Sequence, residues 1–596
     1  MENFLVSDHF TNGLRKKARA NTPYLDSCFG MRCTPFGLLA PRERVAQEVL
    51  ENEPFPFPQL ARLDKNIYHF GLDTVALEAE GAADEQPVYT QTEPMSVLGT
   101  ATKNTAFAGP LVLHTVLTSG VYRLRVTLSA TAGGVMVTTH DGTEHTILVP
   151  MRFVELGEFE FYATLTAGHT LQLNGVEFVG TTTVYASLLS EEEVEEGATQ
   201  YEFATFGDVW FARNNKRLII RAPMTRNLNG EWMLYGHQQG TLGIDSICAH
   251  SNMLLLGGFS PDDAHFATSD WAYIWKNWLE FNELELTHRD LAIGANTVMY
   301  SRRAGGDYWS PFEVELAALG IPGGGVAASA LPFVLDAVRK KELGFFMVPT
   351  SGNIVAMRSN GDSVAIFCTD GMYTATLTEY GWVCQRSGDL IALAVAQDGP
   401  LDFLTKQKKL YRLGAGGLEQ LAENAQLAAL GSVVAFGWDA EEGERYIADE
   451  TTTFLLTPTG LSKIDGVITS VLTADDELRS YESGASLTGA ECSVVTETLD
   501  FGDRFLKVIH DVSARYVAVT NIYCRVQYRT TDNPAWRYSP WFLMREGGFT
   551  VPIVSGHDLR IEFKFYRSSH DAQFEYAILG WRASDKRNFR LHTGGF

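Results

Sequence analysis

A chain of 596 residues exceeds what one hydrophobic core supports, since cores stop growing near ~250–300 residues, so several domains are expected. Its 45% hydrophobic and 20% charged residues match ordinary globular usage and exclude wholesale disorder or a fibrous repeat. The 72 Asp and Glu against 48 Lys and Arg give a formal charge of -24, a field that repels a nucleic-acid backbone and disfavours a conventional DNA-binding protein.

The opening MENFLVSDHF lacks a basic region followed by an apolar core, so a mature chain without a secretory signal is expected. Arg15, Lys16, Lys17 and Arg19 form one basic cluster, a candidate contact for an acidic protein neighbour or for phosphate. Residues 1–95 are punctuated by proline. PFPFPQL at 54–60 reads as extended chain leading to a strand near 65–78, and the whole segment is expected to lend strands to a later domain. Cys28 and Cys33 are five apart with no second Cys or His pair at finger-like spacing, so no zinc site is expected. The other cysteines (Cys248, Cys368, Cys384, Cys492 and Cys524) are scattered, which argues for a reducing place of synthesis rather than a disulfide framework.

Over 96–190 the period is two. Tyr122, Leu124, Val126 and Leu128 alternate with Arg123, Arg125 and Thr127; Phe159, Phe161, Ala163 and Leu165 alternate likewise, as do Leu171 and Leu173. This is the pattern of one inserted β-sandwich, closed by the acidic linker EEEVEEG at 191–197.

Residues 198–482 repeat a strand, a polar or glycine turn, and a second strand. The members are DVWFARNNKRLIIRA (208–222), ICAHSNMLLLGG (247–258), DSVAIFCTDGMYTATL (362–377), LDFLTKQKKLYRLG (401–414) and RYIADETTTFLLTPTG (445–460). Spacings of about 35–45 residues approach the blade period of a β-propeller, and about five to seven blades are predicted. Helical spacing is confined to 43–52, 326–342 and 418–430, the last through Leu418, Leu421, Ala425, Ala428 and Ala429. The uncharged stretch 317–335 carries Pro322, Pro332 and three glycines at 323–325, so it reads as a loop and a short buried segment rather than a membrane span.

A terminal sandwich is predicted over 483–596, with strands near 523–528, 561–566 and 574–580 and with Trp536, Trp541 and Trp581 filling its core. Lys586, Arg587 and Arg590 form a second basic group. Throughout, Asn-Gly (12–13, 174–175, 229–230, 360–361) and Asp-Gly (141–142, 370–371, 398–399, 465–466) mark hairpin turns, because glycine has no Cβ to oppose φ > 0. The fold class expected is mainly β: a degenerate β-propeller with an inserted β-sandwich and a C-terminal β-sandwich.

No phosphate-binding loop, H-E-x-x-H helix, G-x-S-x-G elbow or dinucleotide fingerprint occurs. GASLTG at 484–489 has its glycines too far apart for an elbow, and GAGG at 414–417 stands before a predicted helix without a third glycine. Asp262, Asp263 and His265 read as a polar loop, and DWAYIWKNW at 270–278 as an aromatic core strand. No catalytic, cofactor-binding or metal-ligating residue is singled out, and no enzyme is expected.

TNGLRKKARANTPYLDSCFGMRCTPFGLLAPR at 11–42, PFPQLARLDKNIYHF at 56–70, the two repeats at 362–377 and 401–414, and the closing LDFGDRFLKVIHDV, CRVQYRTTDNPAWRYSPW, VSGHDLRIEFKF and FEYAILGWR resemble the tail nozzle and tail hub proteins of short-tailed bacteriophages. The likeness excludes 96–190. It implies a virion protein, made in the host bacterial cytoplasm, that forms a hexameric ring below the portal and its adaptor. The implied partners are copies of itself, the head-to-tail adaptor proteins, tail fibres or spikes, and double-stranded DNA passing without sequence-specific binding; no stable membrane span is implied. An acidic wall suits such a conduit, since it avoids the affinity that Lys and Arg clusters create by counterion release. The competing reading is a glycan-binding or glycan-hydrolysing propeller, or a tail-associated adhesin; it lacks the S-x-D-x-G-x-x-W repeats of sialidase-like propellers.

Overall fold

Alternating apolar and polar residues separated by glycine turns leave one favourable conformation, a half-buried strand that must pair to satisfy its backbone. In the computed structural model the alternating segments are strands, and among the described residues helix is limited to a 3-10 turn at Leu427–Ala429. The described residues are 2–5, 25–46, 59–63, 66–70, 75–79, 82–86, 88–90, 95–191 apart from 106–108, 131, 155–157 and 177, then 201–206, 209–214, 217–221, 232–234, 242–261, 294–301 and 303, and 344–584 apart from 424–425, 433, 476, 484–490, 500–505, 532 and 545–548. The chain is mainly β. It divides into two compact units: Leu63–Ala392, and a discontinuous unit joining Met1–Arg62 to Leu393–Phe596.

Within Leu63–Ala392, residues 96–188 form two four-stranded antiparallel sheets. One orders Ser96–Lys103, Gly180–Leu188, Gly120–Leu128 and Glu158–Leu165; the other Leu111–Thr115, Thr170–Val176, Ala132–His140 and His145–Val154. The alternation read from sequence is what fills their shared core, with Leu124, Val126, Phe161, Leu165, Leu171 and Leu173 all buried. Asn174-Gly175 departs from expectation: it lies inside the strand Thr170–Val176, opposite Met136 and Val135. The ladder pairing on this strand prevails over the turn preference of the dipeptide.

Two further four-stranded sheets, Leu242–His250 through Gly344–Met347 and Ile354–Asn360 through Gly381–Gly388, are simple meanders sharing one apolar core that includes Leu255, Val298, Met357, Val364 and Ile366. A six-stranded sheet carries Glu202–Phe206, Val209–Asn214 and Arg217–Arg221 in succession at one end.

In the discontinuous unit, Ala435–Asp439, Glu444–Ala448, Thr453–Leu456 and Leu461–Ile464 form a meander that continues as a ten-stranded sheet. Leu25–Phe29 follows next in that sheet, then Glu491–Thr496, Asp558–Arg567 and Val519–Thr530. Cys28, Phe563, Phe565, Phe574 and Leu579 lie in its principal core.

The helix expected over 418–430 is not formed. Gly417–Ala422 is instead a strand paired with Leu410–Gly414, and GAGG is the turn that joins them, Gly414 standing opposite Gly417. Gly417 has φ of 97°, which a left-handed turn favours, and glycine in a helix costs about 1 kcal/mol, so the local balance favours the hairpin. Of 43–52, the described part holds the short strand Val45–Ala46; 326–342 and 317–335 lie outside the described residues.

Candidate functional site

The basic cluster Arg15, Lys16, Lys17 and Arg19 lies outside the described residues, as do the group at 586–590, Asp262, Asp263 and His265, the aromatic run 270–278, the GASLTG motif and residues 192–197 of the acidic linker. What the structure brings together instead is a set of buried arginine–carboxylate ties that no motif announces.

One set fastens the N-terminal segment. Glu2–Leu5 and the hairpin Arg32–Thr34 with Gly37–Leu39 pair with Gln573–Ser584, and Leu25–Phe29 lies parallel to Leu461–Ile464 and antiparallel to Glu491–Thr496. Val45–Ala46 runs parallel to Glu477–Ser483. Three arginines lock this path. Arg32 donates to Glu444 at 2.8 Å, Arg42 to Asp439 at 2.9 Å and also to Glu441, and Arg44 to Glu482 at 2.6 Å. Burial alone would weaken the charge on Arg44, but the facing Tyr446 and Glu482 hold its pKa above the ordinary arginine value. Burial pushes Glu444 upward against the opposing pull of Arg32. The Arg44–Glu482 tie is buried on both sides, and loss of one partner from such a pair costs about 3–5 kcal/mol, whereas Arg42 also reaches the solvent-exposed Glu441.

Cys28, Cys33 and Cys492 sit at the same seam as buried thiols outside any disulfide. The Cys492 thiol donates to the Gly30 carbonyl at 3.5 Å, and any side chain at Gly30 would meet that sulfur at 2.7 Å. Burial pushes the Cys492 thiol up to about 12, which marks it as an inert packing group rather than a nucleophile.

A second tie centres on Asp402, which is 0% exposed. Arg412 grips it in a bidentate pair at 2.7 and 3.0 Å, and Arg445 reaches it at 3.2 Å while donating to the Asp398 and Pro400 carbonyls at 2.6 and 2.9 Å. The Arg445 guanidinium lies over Trp438, 4.6 Å from the ring centroid.

The third tie is in the other unit. Glu202 accepts from Arg358 at 2.8 Å and from the Ile247 amide at 3.0 Å, with the Ser246 hydroxyl at 3.4 Å and Arg213 at 3.7 Å. Ser246 in turn accepts the Met357 amide at 2.8 Å. One carboxylate thereby joins strands of three sheets.

These carboxylates are engaged by guanidinium groups, so their chemistry is that of fixing strand against strand. Among the described residues, no group of three or more His, Cys, Asp or Glu is placed to hold a metal ion, and no helix is long and apolar enough to cross a membrane. Sequence reasoning missed Arg44, Glu202, Arg358, Asp402 and Arg445. No local signal marks them: ERYIA at 444–448 carries two adjacent charges, Glu444 and Arg445, yet the strand is buried throughout.

No family model matches the chain, and no curated protein matches it. Among solved structures, the chain is similar to PorZ, an essential bacterial surface component of the type-IX secretion system of Porphyromonas gingivalis, at 10% identity and a TM-score of 0.25; the match covers 77% of this chain and 43% of that one. The chain therefore spans less than half the length of PorZ. It is also similar to the extracellular domain of a B. thetaiotaomicron protein described as a hybrid two-component system, at 8% identity and a TM-score of 0.26, covering 90% of this chain and 91% of that one.

Proposed function

We propose that the chain is a structural, non-enzymatic protein of a phage tail, a nozzle or hub subunit that surrounds the DNA exit channel below the portal and its adaptor ring. In this reading the sheets of 198–482 are blades of a degenerate β-propeller, 96–190 is an inserted β-sandwich and 483–596 a C-terminal β-sandwich. Copies of the chain close into a ring, expected to be a hexamer, since a head-to-tail contact that does not close would run on as a filament. Adaptor proteins, fibres or spikes are the neighbours, and double-stranded DNA passes without being bound.

The observation that carries the reading is the repeat. The five motifs spaced along 208–460 are five antiparallel hairpins, each in a different sheet. Serial antiparallel hairpins of this kind are the repeating element of propeller blades. The ties at Glu202, Asp402 and the N-terminal arginines add to the support, because a tail wall has to resist pulling apart of its sheets, and the charge of -24 suits a passage that must not hold DNA.

An epitope inserted in the exposed turn Asp141–Glu144 allows a direct test by gold labelling of intact particles. Label on the tail supports the reading. Label confined to the capsid, or particles lacking the chain, would overturn it.

A further inference from the structure

The outer face of the C-terminal part of the ten-stranded sheet differs in chemistry from the ties above. Its strands run Glu491–Thr496, Asp558–Arg567, Val519–Thr530 and then Asn533–Tyr538, with Phe542–Leu543 also pairing with Val519–Thr530, Tyr523 opposite Leu543. The inner rows of the central strand, Ile561, Phe563 and Phe565, are buried, so their neighbours Arg560, Glu562, Lys564 and Tyr566 stand on the opposite face. There, guanidinium groups alternate with aromatic rings. Arg525 lies between Tyr538 and Trp541, 4.6 and 4.4 Å from their centroids, and Trp536 is covered by Arg529 at 4.7 Å and by Arg560 at 4.5 Å.

Each cation also has an anionic partner: Arg525 with Glu562 at 2.5 Å, Arg529 with Asp558 at 2.7 Å, Arg560 with Asp26 at 2.9 Å and Lys564 with Glu491 at 2.6 Å. Gln527 donates to Glu562 at 2.8 Å. On a chain of net charge -24 this face is balanced, four cations against four anions. A charged ligand would have to displace an internal partner from every pair. A neutral ligand would not, because a hydroxyl can accept from a remaining guanidinium N–H and donate to a remaining carboxylate lone pair at once.

Trp536 is occupied on account of its two guanidinium neighbours, whereas Tyr538 and Trp541 each meet Arg525 and still expose 53% and 37% of their surface. The exposed apolar surface is therefore a small strip at one edge, Tyr538, Trp541 and Leu543, rather than the wide apolar centre with a polar rim that a protein interface of ~800 Å² per partner shows. The strip matches a flat ligand with apolar faces and polar edges.

We propose that the Tyr538–Trp541 edge binds a neutral polysaccharide, its pyranose rings stacking by their C–H faces on the open sides of the two aromatic rings while hydroxyls bridge Arg525, Gln527 and Glu562. The pairing of Arg525 with Glu562 and both rings fixes the polar groups before the ligand arrives, so little ordering cost remains to be met on binding. The inference concerns a surface site and holds whether or not the chain belongs to a tail.

The test is calorimetric titration of the full chain with maltohexaose, cellohexaose and chitohexaose, with heparin as the anionic comparison, repeated for Trp541→Ala, Tyr538→Ala and Arg525→Lys. Saturable binding of at least one neutral hexasaccharide is expected, indifferent to added salt. Either aromatic substitution should weaken it about tenfold or more, equivalent to ~1.4 kcal/mol. Tyr538→Ala removes an exposed ring, so its effect reads binding even if Trp541→Ala disturbs folding. Absence of binding to all three neutral sugars, binding unchanged in both variants, or a preference for heparin that disappears at high salt would overturn the proposal. So would a change from oligomer to monomer in the variants without any saccharide binding, which would make the strip a contact between copies.

Discussion

Replacing Arg445 by methionine isolates the contribution of the Asp402 tie. Arg445 is 1% exposed, and its guanidinium makes three hydrogen bonds, one to Asp402 and two to the Asp398 and Pro400 carbonyls, in addition to its stacking over Trp438. Methionine fills much of the same volume but supplies no donor. Breaking a buried ion pair costs about 3–5 kcal/mol, and because Arg412 still holds Asp402 through two bonds, the lower end applies, ~3 kcal/mol. Arg412 itself is about one-third exposed, so Arg412→Ala should cost only ~1 kcal/mol. Native-state hydrogen exchange read on the strands Leu401–Thr405 and Ala435–Asp439 measures this without requiring the two units to unfold together. A loss of ~3 kcal/mol appears as a roughly hundredfold fall in protection. The double variant Asp402→Leu with Arg445→Met should be less damaging than the sum of the two single changes, since neither buried charge is then left without its partner. Arg445→Met within ~1 kcal/mol of the parent, or a strictly additive double variant, would refute the account of this tie.

Gly399 has φ of 68° and a Cβ there would meet the Trp438 ring at 2.5 Å, so Gly399→Ala should lower stability by about 2–3 kcal/mol, measurable as a fall in native-state hydrogen-exchange protection of the neighbouring strand Leu401–Thr405. Arg44→Ala should cost about 3–5 kcal/mol and open the N-terminal segment to limited proteolysis near Val45, while Arg386→Ala, at a half-exposed site, should leave cleavage unchanged. The Thr350 hydroxyl, together with Ser351 and Tyr373, holds Asp370 below the usual carboxylate range. A depressed folded-state value means that its contribution is full above the unfolded value of ~3.9 and is lost as pH falls through the folded one. Protection of the Ser351 amide, which donates to Asp370 at 3.1 Å, corrected for intrinsic exchange, should therefore decline at pH well below ~4 and be constant above it. Residues 96–190 expressed alone should give a soluble fragment with a cooperative melt, destabilised about 3–5 kcal/mol by Phe161→Ala, which removes a ring buried at 0% exposure.

Strand positions were legible wherever the alternation was clean. Ile561, Phe563 and Phe565 are each buried, and so are Leu124, Val126 and Phe161, because a period of two leaves a strand only one face to hide. Aromatic type was a poorer guide than register. Trp581 is buried as expected, but Trp541 is exposed and Trp536 lies on the outer face, since pairing of Gln527 with Tyr538 turns that edge strand outward. Partners distant in sequence could not be read at all: Cys33 donates to the carbonyl of Leu461, 428 residues away, and nothing local in either segment encodes that meeting. Turn dipeptides marked a hairpin where Cys368 stands opposite Gly371 and Asp370 occupies the loop, yet Asn174-Gly175 sits within a strand and Asp465-Gly466 joins strands of two different sheets. The buried arginines were illegible for a simpler reason. A single Arg in a strand looks the same whether it faces solvent or a carboxylate brought from elsewhere in the chain.

The central claim, a ring around an exit channel, is tested most directly by a single-particle reconstruction of assembled tails containing this chain. The account predicts closed cyclic symmetry about the tail axis, copies meeting through more than ~800 Å² per partner, and a lumen lined mainly by Asp and Glu. Copies lying away from the axis, or a lumen lined by Lys and Arg, would contradict it.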